Sequence, residues 1–161
     1  MTLILSKKYN PLFESKARYF IITGGRGSGK SFAVTVFLTL LTMSKGIRVL
    51  FTRFTMTSAH LSIIPEFLEK IGLLGFEETF NINKSEVVNA KNKSDILFRG
   101  IKTSAGNQTA SLKSLQGIST WVLDEAEELV DENIFDTIDL SIREKKVQNR
   151  IILVLNPVTK E

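Results

Sequence analysis

The stretch Gly24-Gly25-Arg26-Gly27-Ser28-Gly29-Lys30-Ser31 carries the most legible chemistry in this chain. It has the spacing G-x-x-x-x-G-K-[ST] of a phosphate-binding loop. Glycines let the backbone turn so tightly that successive N–H groups converge on the β- and γ-phosphates of a nucleotide, and the N-terminus of a following helix adds its positive end. On this reading Lys30 reaches the phosphates and Ser31 ligates Mg²⁺. A second constellation lies far downstream, where Trp121-Val122-Leu123-Asp124-Glu125 is an apolar run ending in two adjacent carboxylates. Asp124, at the end of a strand, would hold Mg²⁺ through water. Glu125, one residue on and pointing elsewhere, is placed to polarise a water for in-line attack on the γ-phosphate. The competing reading is an acidic helix cap, helped by Glu127 and Glu128. A third candidate is Asn156, in Leu155-Asn156-Pro157, whose amide could contact the attacking water or the γ-phosphate or simply make an Asn-Pro turn.

These residues need elements to position them, and the flanking sequence supplies those elements. Tyr19–Thr23 is a short β-branched and aromatic strand before the loop, and Phe32–Met43 is an apolar helix after it. Lys45-Gly46 stops that helix, and Ile47–Thr52 reads as the next strand, giving a right-handed βαβ unit. A helix from Ser58 to about Ile71, ended by Gly72, is expected to kink or restart at Pro65. Short strand-like pieces at Thr79–Ile82, Glu86–Asn89 and Asp95–Phe98 suggest hairpins appended to a parallel core. Thr103–Ser111, rich in small polar residues, reads as a mobile loop. Thr120–Leu123 and Arg150–Leu155 are the last strands, separated by a helix with apolar positions at Val130, Ile134, Phe135, Ile138 and Ile142. Parallel strands deliver ligand-binding residues at their carboxyl ends, so Asp124 and the loop should meet there.

Composition bounds the rest. The 161 residues suit one α/β domain, read here as 1–161, with a mainly parallel sheet flanked by helices. The net charge of +4 permits contact with nucleic acid without arguing strongly for it. With no cysteine and His60 as the single histidine, thiolate and histidine-cluster metal sites are excluded. The apolar stretches are too short and polar-interrupted to span a bilayer, so no membrane partner is expected.

The ordered set of motifs resembles the ATPase domain of the large terminase subunit of tailed bacteriophages. It comprises Asn10-Pro11-Leu12-Phe13, the phosphate-binding loop, Phe98-Arg99-Gly100-Ile101-Lys102, Lys113-Ser114-Leu115-Gln116-Gly117-Ile118, Trp121 to Glu127, and Asn156-Pro157. The resemblance implies a P-loop NTPase of the ASCE type with ATP and Mg²⁺ as cofactors and Glu125 as the catalytic carboxylate. It also implies Asn156 coupling hydrolysis to DNA movement, and Asn10 near the adenine, although a strand cap or core anchor would explain Asn10 as well. The implied partners are double-stranded DNA, a portal protein, a small terminase subunit and further copies in a ring. An isolated domain could be monomeric, and the implied place of action is the host cell cytoplasm during packaging. Such a domain hydrolyses ATP to translocate viral DNA into a procapsid. A helicase-like DNA-dependent ATPase, or a nucleotide-gated assembly module without useful turnover, are the alternatives.

Family members carry a C-terminal nuclease domain, so a chain ending at Glu161 is expected to be an ATPase domain without it. Asp131, Glu132, Asp136 and Asp139 are spaced as an exposed helix face rather than as a metal site. Transition-state charge has two candidates. Arg26 could swing onto the γ-phosphate in cis, the role the resemblance implies, or form a fixing salt bridge with Glu125 or Glu127. Lys113 could act in trans on a neighbouring subunit, again by resemblance. Arg53, just past the second strand, lies on the correct edge of the sheet for either a catalytic or a structural role. The aromatic residues read mostly as core, so DNA contact should run through phosphates and be salt-sensitive.

Overall fold

The computed structural model describes residues 3–56, 59–103, 106–107 and 109–157. A short helix α1 (Asn10–Glu14) precedes strand β1 (Tyr19–Thr23), the helix α2 (Lys30–Leu41), strand β2 (Arg48–Thr55) and helix α3 (Ala59–Leu73). Strands β3 (Phe80–Ile82), β4 (Glu86–Asn89), β5 (Asp95–Thr103) and β6 (Gly106–Asn107) follow. Helix α4 (Thr109–Lys113), strand β7 (Thr120–Asp124), helix α5 (Glu132–Asp139) and strand β8 (Arg150–Leu155) complete the described chain. One sheet runs β1-β8-β7-β2-β5-β4-β3, with β6 paired to β5. The pairings β1·β8, β8·β7, β7·β2 and β2·β5 are parallel, and those to β4, β3 and β6 are antiparallel. The protein is therefore a mixed α/β fold with a mostly parallel sheet.

Both faces of the central parallel strands β2 and β7 are buried, as crossover helices require, whereas the edge strand β1 leaves Tyr19 and Ile21 exposed on one face. Along β2, Val49 and Phe51 point into one core with α2 and α3, and Leu50 points into the other with Trp121, Ile138 and Ile142. Phe51, Phe67 and Phe98 join β2, α3 and β5 by ring contacts of 5.2 to 5.9 Å. In the second core Trp121 is fully buried and donates its indole N–H to Thr52 Oγ1 at 2.8 Å, which satisfies the ring's one polar group. Helix α2 contains Val34, Thr35, Val36 and Thr39, all poor helix formers and all buried; packing on both sides, rather than propensity, holds it.

The structure revises several sequence-based expectations. Asp95–Phe98 does pair antiparallel with β4 as the hairpin reading expects, but β5 runs on to Thr103 and also lies parallel to β2, so the hairpin strands continue the core sheet. Gly100 hid this continuity, since it interrupts the apolar pattern where a Cβ would lie 3.1 Å from the Met56 backbone nitrogen. The stretch expected to be a mobile loop contains β6 and the start of α4; residues 104, 105 and 108 lie outside the described residues. Pro65 does not end α3, which runs on to Leu73. Its ring sits on an exposed face beside exposed Leu61, where the carbonyl it frees can be hydrated. Ser58, the expected cap of that helix, lies outside the described residues. Val130 is 91% exposed rather than part of an apolar helix face, because α5 starts only at Glu132.

Candidate functional site

Four neighbouring parallel strands end side by side and each delivers one part of a single cleft. The loop follows β1, Asn156 follows β8, Asp124 and Glu125 close β7, and Arg53 lies near the end of β2. Strand register makes the arrangement: Thr52 is level with Leu123, which sets Arg53 beside Asp124, and Asp124 is level with Val154, which sets Asn156 beyond Glu125. The cleft encloses about 380 Å³ and is lined by loop residues 26 to 31 together with Arg53, Asp124, Glu125 and Asn156. That is within the usual range for a small-molecule site.

The loop is tightly wound around its own lysine. Lys30 is buried, and its Nζ donates to the carbonyl of Gly24, to that of Gly25 at 3.0 Å and to Ser28 Oγ at 3.3 Å. Gly24 has φ +155°, and a Cβ there would fall 2.8 Å from Ser28 Oγ, so this position accepts only glycine. Two residues that sequence reasoning passed over support the loop from outside. Tyr9, itself buried, donates its hydroxyl to the Ser28 carbonyl at 2.9 Å, and Lys8 Nζ donates to the same oxygen at 3.1 Å. Asn10, expected near an adenine, is exposed at the head of α1 and does not line the cleft; its neighbour Tyr9 is the residue that touches the loop.

At the carboxylate end, Arg53 dominates. Its Nε and Nη2 lie 2.9 and 2.8 Å from the same Asp124 oxygen, Oδ2, and its Nε lies 3.9 Å from Glu125 Oε2. Glu125 sits in the left-handed region at φ 55°, ψ 45°, a conformation uncommon for a residue with a side chain and one that concentrates at functional sites. The turn breaks the line of β7, so Asp124 and Glu125 aim differently although adjacent. Partial burial raises the Glu125 pKa; Arg53 opposes that shift, while Asp124, Glu128 and Glu127 add to it. A raised pKa makes a carboxylate a better proton acceptor, the property a water-activating base needs. Beneath the cleft, Glu66 of α3 lines a small recess with Ser31 and Asp124, and burial raises its pKa against the pull of Arg53 and Lys70.

Ser31 and Asp124 share that recess, and both offer the hard oxygen atoms that Mg²⁺ prefers. Among the described residues no cluster of three or more His, Cys, Asp or Glu side chains could hold a metal by itself. A cation bound here would therefore share its coordination sphere with water and with a ligand's phosphates, the usual situation for Mg²⁺.

Arg26 is exposed in the cleft wall, and no ion pair joins it to Glu125 or Glu127 among the described residues. Glu127 is engaged by Asn156 instead. Lys113 is remote from this cleft: it lines a separate groove with Gln116, Ser141, Arg143 and Glu144. The Gln116 carbonyl accepts from Arg48, the first residue of β2, which places this groove at the amino-terminal end of the parallel strands, away from the cleft at their carboxyl ends. Two of the acidic residues at α5 have partners within the chain: Asp131 caps the helix through the N–H groups of Asn133 and Ile134, and Asp139 binds Arg18 at 2.6 Å and Tyr19 at 2.7 Å.

The family model of the phage terminase large subunit matches residues 16–161. No curated protein matches the sequence significantly. Among solved structures, the large terminase of a thermophilic bacteriophage has a TM-score of 0.74 at 12% identity, covering 96% of this chain and 40% of that one. The HK97 bacteriophage large terminase has a TM-score of 0.70 at 10% identity, covering 95% and 33%. The N-terminal domain of the DNA packaging ATPase from bacteriophage phi29 has a TM-score of 0.66 at 16% identity, covering 98% and 81%. The thermophilic phage protein has also been solved with ADP and with ATP-γ-S. The chain thus spans less than half the length of the first two proteins, and at these identities the likeness shows the shared fold.

Proposed function

The chain belongs to the phage terminase large subunit family, and from that premise we propose that its cleft binds ATP with Mg²⁺ and hydrolyses it to drive packaging of double-stranded viral DNA. One observation supports the reading: four adjacent strand ends bring the glycine-rich loop, two carboxylates in different orientations and an amide to one cleft. Each has a distinct task. Backbone N–H groups of residues 25 to 30 and the Lys30 ammonium receive the phosphates. Ser31 and Asp124 would hold Mg²⁺, which when bound would supply charge neutralisation for the phosphates. Glu125 accepts a proton from the attacking water, helped by its raised pKa. Asn156 contacts that water or the γ-phosphate, and Arg26, which has no carboxylate partner among the described residues, is a cation available in cis. The water-activating carboxylate favours a hydrolase over a nucleotide-gated assembly module, which needs no such group.

Substitution separates these roles. Lys30→Ala removes phosphate charge and should abolish nucleotide binding or turnover. Glu125→Gln should retain ATP with Mg²⁺ while stopping hydrolysis, because it removes only the proton acceptor. Equal loss of binding in both variants would sink the assignment.

Partners follow from the same reading. The portal protein, the small terminase subunit and further copies arranged in a ring are the proposed assembly, with DNA held through its phosphates. The proposed place of action is the host cytoplasm. Among the described residues no helix is long and apolar enough to cross a membrane.

A further inference from the structure

Glu127 has no place in the chemistry just described, yet it joins the segment after Glu125 to Asn156, a residue that lines the cleft. Behind Glu125 the chain closes a single 3₁₀ turn, Ala126–Glu128, with Glu128 N–H bonded to the Glu125 carbonyl at 3.0 Å and Ala126 buried. That turn places Glu127 two residues from Glu125 on the same short segment. Asn156 reaches across from the end of β8 and donates twice: its backbone N–H to Glu127 Oε2 at 3.3 Å, and its side-chain Nδ2 to Glu127 Oε1 at 3.2 Å. Both oxygens of one carboxylate thus hold one residue. Two-point, charge-assisted contact fixes orientation as well as distance, and it leaves the Asn156 carbonyl oxygen as the amide's acceptor for the cleft it lines.

We propose that Glu127 is a positioning residue for the hydrolysis: it clasps Asn156 so that the turn carrying Glu125 and the end of β8 shift as one body when the cleft fills. The proposal rests on the nucleotide-site reading above. Its physical content is that occupancy sensed at Glu125 reaches β8 through one side chain, not through the sheet alone.

Hydrogen–deuterium exchange of the chain with Mg²⁺ and a non-hydrolysable ATP analogue tests this directly, with Glu127→Ala beside the wild type. In the wild type, residues 24–31 and 153–157 gain protection together. In Glu127→Ala, residues 24–31 still gain protection, while 153–157 exchange as in the free protein. Turnover gives a second readout: Glu127→Ala and Asn156→Ala each lower kcat about tenfold with KM for ATP changed less than about twofold, and the double variant is no slower than either. Glu127→Gln keeps one acceptor oxygen and recovers part of kcat. Undiminished protection of 153–157 in Glu127→Ala, or losses in kcat that multiply in the double variant, would overturn the clasp and leave the nucleotide site standing. Absence of protection at 24–31 in the wild type would overturn the nucleotide site and the clasp with it.

Discussion

Replacing Arg53 by alanine should destabilise the protein when divalent metal is absent and make its stability depend on Mg²⁺. Arg53 and Asp124 are 21% and 13% exposed and meet through two short contacts to one oxygen. Removing one partner of a fully buried pair costs about 3–5 kcal/mol, because the other charge is left without compensation. An exposed pair contributes at most about 1 kcal/mol. A pair this secluded but still touching solvent lies between, and about 2 kcal/mol is the expected loss. For a domain of this size that lowers Tm by about 4–8 °C. Thermal unfolding in EDTA measures it. Adding Mg²⁺ should then raise the Tm of Arg53→Ala more than that of the wild type, since only in the variant is Asp124 Oδ2 unclaimed by a cation. Arg53→Lys, which offers one nitrogen in place of two, should fall between. Equal melting of variant and wild type in EDTA, or an identical response to Mg²⁺, would refute the reasoning.

Tyr9→Phe should cost about 1 kcal/mol in denaturant unfolding, because one hydrogen bond to the Ser28 carbonyl is lost and Lys8 still serves that oxygen; no change would show that the hydroxyl does not brace the loop. Glu66 has a raised pKa in the folded state, so the folded protein binds this proton more tightly than the unfolded chain, and the cost of ionising Glu66 is present above the folded pKa and vanishes as pH falls below the ordinary carboxylate value. Glu66→Gln should therefore stabilise the protein at neutral pH but not near pH 3, as read by Tm against pH; a constant gain across the range would contradict it. Lys113→Ala should spare the rate of isolated subunits and remove the stimulation gained on assembly, by about 10³-fold if Lys113 meets a neighbour's transition-state charge. Mixed rings of Lys113→Ala and Glu125→Gln subunits that recover no ATPase activity would count against Lys113.

That the glycine-rich loop 24–31 and the Asp124-Glu125 pair would meet in one cleft was legible because their signals are local: a glycine spacing, and an apolar strand ending in carboxylates. The parallel order of the strands could be anticipated from the alternation of strand and helix around them. Arg53 could be placed on the correct edge but not on Asp124, since that contact depends on the register of two strands 71 residues apart. Tyr9 was hidden by its position in a segment with no strong pattern, and its role exists only where α1 folds back on the loop. The Glu127–Asn156 contact needed the left-handed turn at Glu125, which no residue preference announces, because a glutamate there runs against local propensity. The continuation of β5 past Phe98 was not legible because Gly100 carries no strand signal, although close backbone approach favours it there.

The most direct test of the nucleotide site is a crystal structure of the Glu125→Gln variant grown with ATP and Mg²⁺. The expected result is a triphosphate wrapped by residues 25 to 30, Lys30 turned from the loop carbonyls onto the phosphates, and a metal near Ser31 and Asp124. Arg53 should then have left Asp124 Oδ2, and position 125 and Asn156 should face the γ-phosphate from opposite sides. ATP bound elsewhere, or a triphosphate in the loop with its γ-phosphate turned away from position 125, would contradict the assignment of this cleft as the hydrolytic site.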